Sequence, residues 1–302
     1  MKNRTIKYCT VLLLSIVLTL VAVMPMQASN SDGSQWMQAL DNNAKLNSLT
    51  IVGTHDSGAR HSIADVAGKC QTLSIKQQLK IGVRFLDIRL QMVDNKLNVV
   101  HSFVDQMTKF DDVLADMAAF VRDNPSEFLI VSLKEDASAK RSNLDFAYVL
   151  EEMLLSYAEV SKSQTLPETV GEARGKIHVL ARYGGSSIGL PCYFGWADDA
   201  SFALGDVYIQ DNYYISTTEE KLADIHNAYL VAQEQTYALV LNYTSCYFAS
   251  GFPPIYAGLP AHAINRDTQQ VVADGTNGPL GVIVCDFVTT DLANAIIGRN
   301  FR

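Results

Sequence analysis

The chain has 302 residues, 48% of them hydrophobic, which is enough apolar side chain for one sizeable core and excludes a disordered polypeptide. Its formal charge of −8 excludes a protein that holds nucleic acid or an anionic membrane by overall attraction. Any affinity for phosphate must therefore come from a local pocket.

The N-terminus reads as a secretory signal peptide. Lys2, Arg4 and Lys7 form a positive segment, Val11 to Met24 is an almost unbroken apolar run, and Met26-Gln27-Ala28 offers a cleavage site. The run has 14 residues, short of the about 20 that a membrane-spanning helix needs. The sequence predicts removal of residues 1–28, leaving a catalytic domain at 29–302 that is secreted or periplasmic. Losing three basic residues takes the formal charge from −8 to −11. Four cysteines remain, Cys70, Cys192, Cys246 and Cys285, in no metal-ligand spacing; they are equally compatible with one disulfide and with buried thiols.

No repeat or long linker interrupts the rest, so one domain is expected. Short β-rich runs alternate with helical stretches. The predicted strands are Leu49–Gly53, Val83–Leu90, Leu97–His101, Phe128–Lys134, Lys176–Arg182, Asp206–Gln210, Ala238–Asn242 and Gly281–Cys285. Phe110–Arg122 is the clearest helix, its apolar residues on one stripe and its end marked by Asn124-Pro125; Leu144–Tyr157 and Glu219–Gln235 are two more. Eight strands with helices between them predict an α/β fold, an irregular TIM-type (β/α)8 barrel. The irregularity is Gln91 to Lys96, too short for a helical crossover. Asp94-Asn95 reads as a turn, and a hairpin centred on Asn95 would set Arg89 opposite His101.

Chemistry collects at the strand ends: His55-Asp56, Asp87 with Arg89, His101, Lys134, Arg182, Asp211 and Asp286. The C-terminal rim of a barrel is where catalytic residues lie. Any one of these residues alone is ordinary; their recurrence after seven strands points to an active site. Two histidines supply a base and an acid that titrate near neutrality, with Asp56, Asp87 and Asp286 at hand to fix their tautomers. Arg89, Arg182 and Lys134 supply positive charge, and the planar arginine fork suits the non-bridging oxygens of a phosphodiester. A calcium site needs a carboxylate cluster, which Arg89 would oppose, so neither metal nor other cofactor is expected.

Several segments carry a family resemblance. Ile51-Val52-Gly53-Thr54-His55-Asp56-Ser57-Gly58, Arg84-Phe85-Leu86-Asp87-Ile88-Arg89, Val99-Val100-His101, Asn124-Pro125-Ser126-Glu127 and Ser132-Leu133-Lys134 closely resemble bacterial phosphatidylinositol-specific phospholipase C of the metal-independent X-domain type. Trp36-Met37-Gln38, Gly171 to Lys176, Arg182-Tyr183, Gln210 to Tyr213 and Val284-Cys285-Asp286 continue the likeness in order. The resemblance implies that His55 is the general base on the inositol 2-hydroxyl, oriented by Asp286. It implies that His101, supported by Asp56, protonates the leaving diacylglycerol oxygen. Arg89 would hold the phosphate where calcium-dependent relatives place a cation, with Asp87 supporting it. Lys134, Arg182 and Asp211 would bond inositol hydroxyls, and Tyr213 would stack on the ring. The implied products are diacylglycerol and inositol 1,2-cyclic phosphate, from phosphatidylinositol or its glycosylated anchors, made by a monomer in transient contact with a membrane surface.

Two departures bear on that reading. Arg60 to Thr72 carries only Ile63 and Val66 as large aliphatics where the family often has a bulky aromatic, so Phe252, Ile255 and Tyr256 become the expected lipid contacts. Ser102 follows His101 where a glycine is common. A calcium-dependent phosphodiesterase would be expected to show a His-Arg-Gly start and a metal-binding carboxylate set, and an inactive inositol-glycan binding module to have lost His55 or His101.

Overall fold

The computed structural model describes residues 33–61, 68–248, 258–274 and 278–302. The signal-peptide segment 1–28, the aliphatics Ile63 and Val66, and the expected lipid contacts Phe252, Ile255 and Tyr256 lie outside the described residues.

The strands are β1 (Thr50–Thr54), β2 (Phe85–Val93), β3 (Lys96–His101), β4 (Val104–Lys109), β5 (Leu129–Lys140), β6 (Ile177–Arg182), β7 (Leu190–Pro191), β8 (Ser201–Leu204), β9 (Val207–Gln210), β10 (Tyr214–Ile215), β11 (Leu239–Tyr243), β12 (Tyr247–Phe248) and β13 (Gly281–Cys285). The α-helices are α1 (Ile75–Lys80), α2 (Phe110–Asp123), α3 (Phe146–Leu155), α4 (Val170–Ala173), α5 (Thr218–Glu234), α6 (Gly258–Ala273) and α7 (Thr290–Gly298). All eight predicted strands and the three predicted helices are present.

Seven of those strands form a parallel sheet in the order β6-β5-β2-β1-β13-β11-β9, with β7 beside β6 and the antiparallel β8 beside β9. Among the described residues no ladder joins the two ends, so the barrel is open. It is curled all the same. Six spacings of about 4.8 Å would hold β6 and β9 roughly 29 Å apart in a flat sheet. Yet Arg182, ending β6, and Asp211, following β9, both touch Trp196: the guanidinium lies 3.6 Å from the ring centroid and the indole N–H donates to Asp211 Oδ2 at 3.4 Å.

The period-two alternation of each strand divides the core. Ile51, Phe85, Ile130, Leu180, Ile209, Leu241, Val282 and Val284 meet inside the curl, joined at its N-terminal mouth by Met37, Leu46 and Leu49. Their neighbours Val52, Leu86, Val131, Val179 and Ile283 face outward against Phe110, Leu114, Met117 and Val121 of α2, Leu150 of α3, Ile225 of α5 and Ile296 of α7. A buried ion pair braces the N-terminal mouth: Arg84 donates to Glu127 at 2.7 Å and also to the carbonyls of Gly33, Ser34, Leu79 and Val83.

Two expectations need correction. The third predicted strand, β3, is not a barrel stave. It pairs antiparallel with the far half of β2, and with β4 on its other side, as an arm beyond the barrel. Asp94 and Asn95 both take left-handed φ values (52° and 59°), as a two-residue hairpin turn with the strand twist requires. Val93 therefore faces Lys96, and continuing that register sets Arg89 level with Val100, not His101. The open cysteine question resolves as free thiols: Cys70, Cys192, Cys246 and Cys285 are all unbridged and buried.

Candidate active site

The alternation that packs the lumen also aims the site. On β1, Ile51 and Gly53 lead to His55; on β2, Phe85 leads to Asp87 and Arg89. On β5, Ile130 leads to Ser132 and Lys134; on β6, Leu180 leads to Arg182; on β13, Val282 and Val284 lead to Asp286. Each polar residue continues its strand's inward file towards the C-terminal rim. There the files open on a cavity of about 640 Å³ lined by His55, Arg89, His101, Lys134, Arg182, Asp211, Tyr213 and Asp286, among others. Asp87, Arg89 and Lys134 sit within their strands rather than beyond them, because β2 and β5 run on into the arm.

Left-handed residues shape the corners. Asp56 (φ 41°), Ser102 (φ 54°) and Phe287 (φ 49°) directly follow His55, His101 and Asp286, turning the chain just where each side chain must point inward. The β1 corner also depends on Gly58, where an added Cβ would lie 2.4 Å from Val99 Cγ1 of β3. That close approach seats the arm, and with it His101, over the His55 loop.

The two histidines stand on either side of one arginine, each with its own aspartate. His55 Nδ1–H donates to Asp286 Oδ1 at 2.8 Å, and Arg89 donates to His55 Nε2 at 2.7 Å. His101 Nε2 lies 3.4 Å from Asp56 Oδ2, and Arg89 Nε 3.5 Å from the same oxygen. Arg89 also bonds Asp87 Oδ2 at 3.3 Å, while Asp87 Oδ1 faces Arg182 at 3.6 Å and accepts from Ser132 at 3.3 Å. Gln71 supports the His55–Asp286 pair from below, donating to the carbonyls of His55 (2.9 Å) and Cys285 (2.8 Å).

The electrostatics differ between the two pairs. Burial opposes the charged form of His55, but Asp286 outweighs it and raises the ring's proton affinity above the ordinary histidine value. Arg89 can donate to Nε2 only while that nitrogen is unprotonated, so the contact describes a neutral, strongly basic imidazole whose lone pair is capped by a guanidinium. Burial pushes the Asp56 carboxyl up to about 7, with the Arg89 charge offsetting only part of it. Burial, then the charges of Arg89 and His55, bring His101 down to about 4. Near neutrality one proton is therefore shared by Asp56 and His101, and its resting place is the carboxyl. Asp87 is the reverse case: burial would raise it, but Arg89, Arg182 and His55 hold it well below the usual carboxylate range.

His55, Asp56, Asp87, Arg89, His101, Lys134, Arg182, Asp211, Tyr213 and Asp286, the site residues expected from the sequence, all lie at this rim. Tyr213 donates to Asp198 Oδ1 at 2.7 Å and inclines its ring 31° to that of Tyr247. Sequence reasoning missed Asp136, which accepts from Lys134 at 2.6 Å and from the Ser102 amide at 2.7 Å and so ties the arm to β5. The signal was available, since Asp136 stands two residues beyond Lys134 on one strand face. Trp196, Asp198 and Cys70 line the cavity from loops without periodicity and carried no such signal.

This fold and rim define an α/β-barrel enzyme with a charged pocket at the C-terminal ends of its strands. Residues 50–183 match the family described as phosphatidylinositol-specific phospholipase C, X domain. The chain is 28% identical, over 282 residues, to a 1-phosphatidylinositol phosphodiesterase of Listeria monocytogenes, covering 88% of this chain and 84% of that one. It is 29% identical over 214 residues to a 1-phosphatidylinositol phosphodiesterase of Staphylococcus aureus, covering 63% of this chain and 64% of that one. The solved phosphatidylinositol-specific phospholipase C from Listeria monocytogenes superposes with a TM-score of 0.73 at 26% identity, over 89% of this chain and 98% of that one. A Staphylococcus aureus structure of the same enzyme type superposes at 0.79 and 23% identity, over 89% and 97%, and so shares the fold. Over residues 50–183 the chain carries the X domain of phosphatidylinositol-specific phospholipase C.

Proposed function

We propose that the chain cleaves phosphatidylinositol into diacylglycerol and inositol 1,2-cyclic phosphate by histidine acid–base catalysis. The observation that carries this reading is the pair of carboxylate-backed histidines set on either side of Arg89. His55, made basic by Asp286, takes the proton of the inositol 2-hydroxyl as its oxygen attacks phosphorus. A bound phosphate draws Arg89 onto its non-bridging oxygens, which uncaps His55 Nε2 at the moment the base is needed. The Asp56–His101 pair delivers its shared proton through the imidazole to the departing diacylglycerol oxygen. Asp87 keeps Arg89 charged and oriented. Lys134, Arg182, Asp211 and Asp136 offer hydrogen bonds to the inositol ring, and Tyr213 offers a face.

We further infer that residues 1–28 are removed on export, leaving the domain at 29–302, and that it works as a monomer, since one chain supplies the whole site. Its membrane contact is supported by two side chains on the described rim. Ser102 and Tyr193 line the cavity, and the residues that follow them, Phe103 and Phe194, are 74% and 82% exposed. These supplement Phe252, Ile255 and Tyr256.

The test is turnover of phosphatidylinositol and of a glycosylated anchor in excess chelator. Wild type works without added metal; His55→Ala and His101→Ala each lose about 10²–10⁴-fold, with the fold intact by circular dichroism. A nitrophenyl ester, whose leaving group needs no protonation, rescues His101→Ala alone. Equal rescue of both variants overturns the assignment of base and acid, and loss of wild-type turnover in chelator overturns the metal-independent mechanism.

A further inference from the structure

Cys70 belongs to no step of the proposed reaction, yet its sulfur lies at the centre of the site. The Sγ of Cys70, a carboxylate oxygen of Asp56 and a ring nitrogen of His101 all lie within 4.8 Å of one another. A second triad, His55, Cys70 and Asp286, shares the same sulfur. The two triads are unequal as ligand sets. In the second, His55 is engaged on both ring nitrogens, by Asp286 at 2.8 Å and Arg89 at 2.7 Å. In the first, both carboxylate oxygens of the fully buried Asp56 lack a hydrogen-bond partner among the described residues; Arg89 and His101 stand 3.5 and 3.4 Å from Oδ2. One sulfur, one imidazole nitrogen and one carboxylate oxygen are the donor types of a zinc site with a fourth position open to water.

We propose that Asp56, Cys70 and His101 form an inhibitory site for a thiophilic divalent cation such as Zn²⁺. Around tetrahedral zinc, with bonds of about 2.0–2.3 Å, ligand atoms sit roughly 3.3–3.8 Å apart. The triad, with all ligand atoms within 4.8 Å of one another and His101 Nε2 already 3.4 Å from Asp56 Oδ2, needs to close by no more than about 1.5 Å. The sulfur is what separates this site from a calcium site. Arg89 opposes any cation nearby, and a hard ion held by carboxylate alone has nothing to offset that, whereas zinc gains a thiolate bond as Cys70 releases its proton to solvent. Arg89 keeps its bond to Asp87 while Asp56 turns to the metal. Binding removes the shared proton and its carrier together, so the metal blocks the leaving-group step without unfolding the rim.

The inference goes beyond the proposed reaction, and its test separates the two. Zinc is titrated into wild type and Cys70→Ser, with turnover as one readout and the visible spectrum of the Co²⁺-substituted protein as the other. In the expected result, wild type is inhibited and chelator restores it, and Cys70→Ser raises the half-inhibitory zinc concentration at least about tenfold. The Co²⁺ protein shows a sulfur-to-metal charge-transfer band that is absent in Cys70→Ser. Cys70→Ala, which removes even a hydroxyl ligand, behaves as the serine variant or is weaker still. Equal zinc sensitivity of wild type and both variants overturns the site, as does a Co²⁺ spectrum without a thiolate band. The spectrum reads the site even if the chain fails to cleave phosphatidylinositol.

Discussion

At the residue scale the site turns on where a single proton rests. Burial pushes the Asp56 carboxyl up to about 7, and burial with the charges of Arg89 and His55 brings His101 down to about 4, so the pair loses its proton as pH rises through about 7. His55 must be neutral to act, and its raised affinity sets the acid limb above the ordinary histidine value. The productive form is thus bounded on both sides, and kcat/KM should be bell-shaped with its alkaline limb near 7. Asp56→Asn should move that limb to lower pH, since the proton then rests on His101 alone, and should lower kcat; an unmoved limb would show that another group sets it. Stability follows the same groups with opposite signs. Asp56 is raised on folding, so its contribution is present below about pH 4 and lost as pH rises through about 7. Asp87 is lowered, so its contribution is present above about pH 4 and lost as pH falls.

At the element scale, the arm formed by β2, β3 and β4 decides the second histidine, and the buried pair at the opposite mouth decides whether the staves align. Arg84 and Glu127 are both fully buried, and the guanidinium donates to Glu127 Oε2 through both Nε (2.9 Å) and Nη2 (2.7 Å). Glu127→Ala removes one partner of a buried ion pair, for which the cost is about 3–5 kcal/mol. Thermal unfolding should show a midpoint lowered by roughly 6–20 °C, at about 2–4 °C per kcal/mol for a domain of this size. A loss below about 1 kcal/mol would mean that Arg84 is held by its other contacts, the Gly33, Ser34, Leu79 and Val83 carbonyls among them.

At the scale of the whole molecule, a chain of formal charge −8 has to meet a lipid surface without charge attraction. Apolar rim residues then carry the contact, each worth about 1.5–3 kcal/mol when fully inserted. Phe103→Ser combined with Phe194→Ser should weaken vesicle binding by one to several orders of magnitude, with little salt dependence, and spare cleavage of a soluble short-chain substrate. Unchanged vesicle sedimentation would place the contact at other rim residues, Phe252 and Ile255 first.

The elements and most of the site were legible without coordinates. Strands such as Leu49–Gly53 and Gly281–Cys285 announce themselves as apolar runs, and period two then says that His55 and Asp286 lie on the lumen side of their staves. That is local information, carried by residues two apart on one chain. What the tertiary structure alone decided is long-range. A one-residue register step in the β2–β3 hairpin put Val100, not His101, level with Arg89, and the close approach at Gly58 seated His101 beside Asp56 instead. The open barrel, the four unbridged thiols and the position of Cys70 between both histidine pairs depend on how distant staves curl together, and no spacing along the chain encodes that distance.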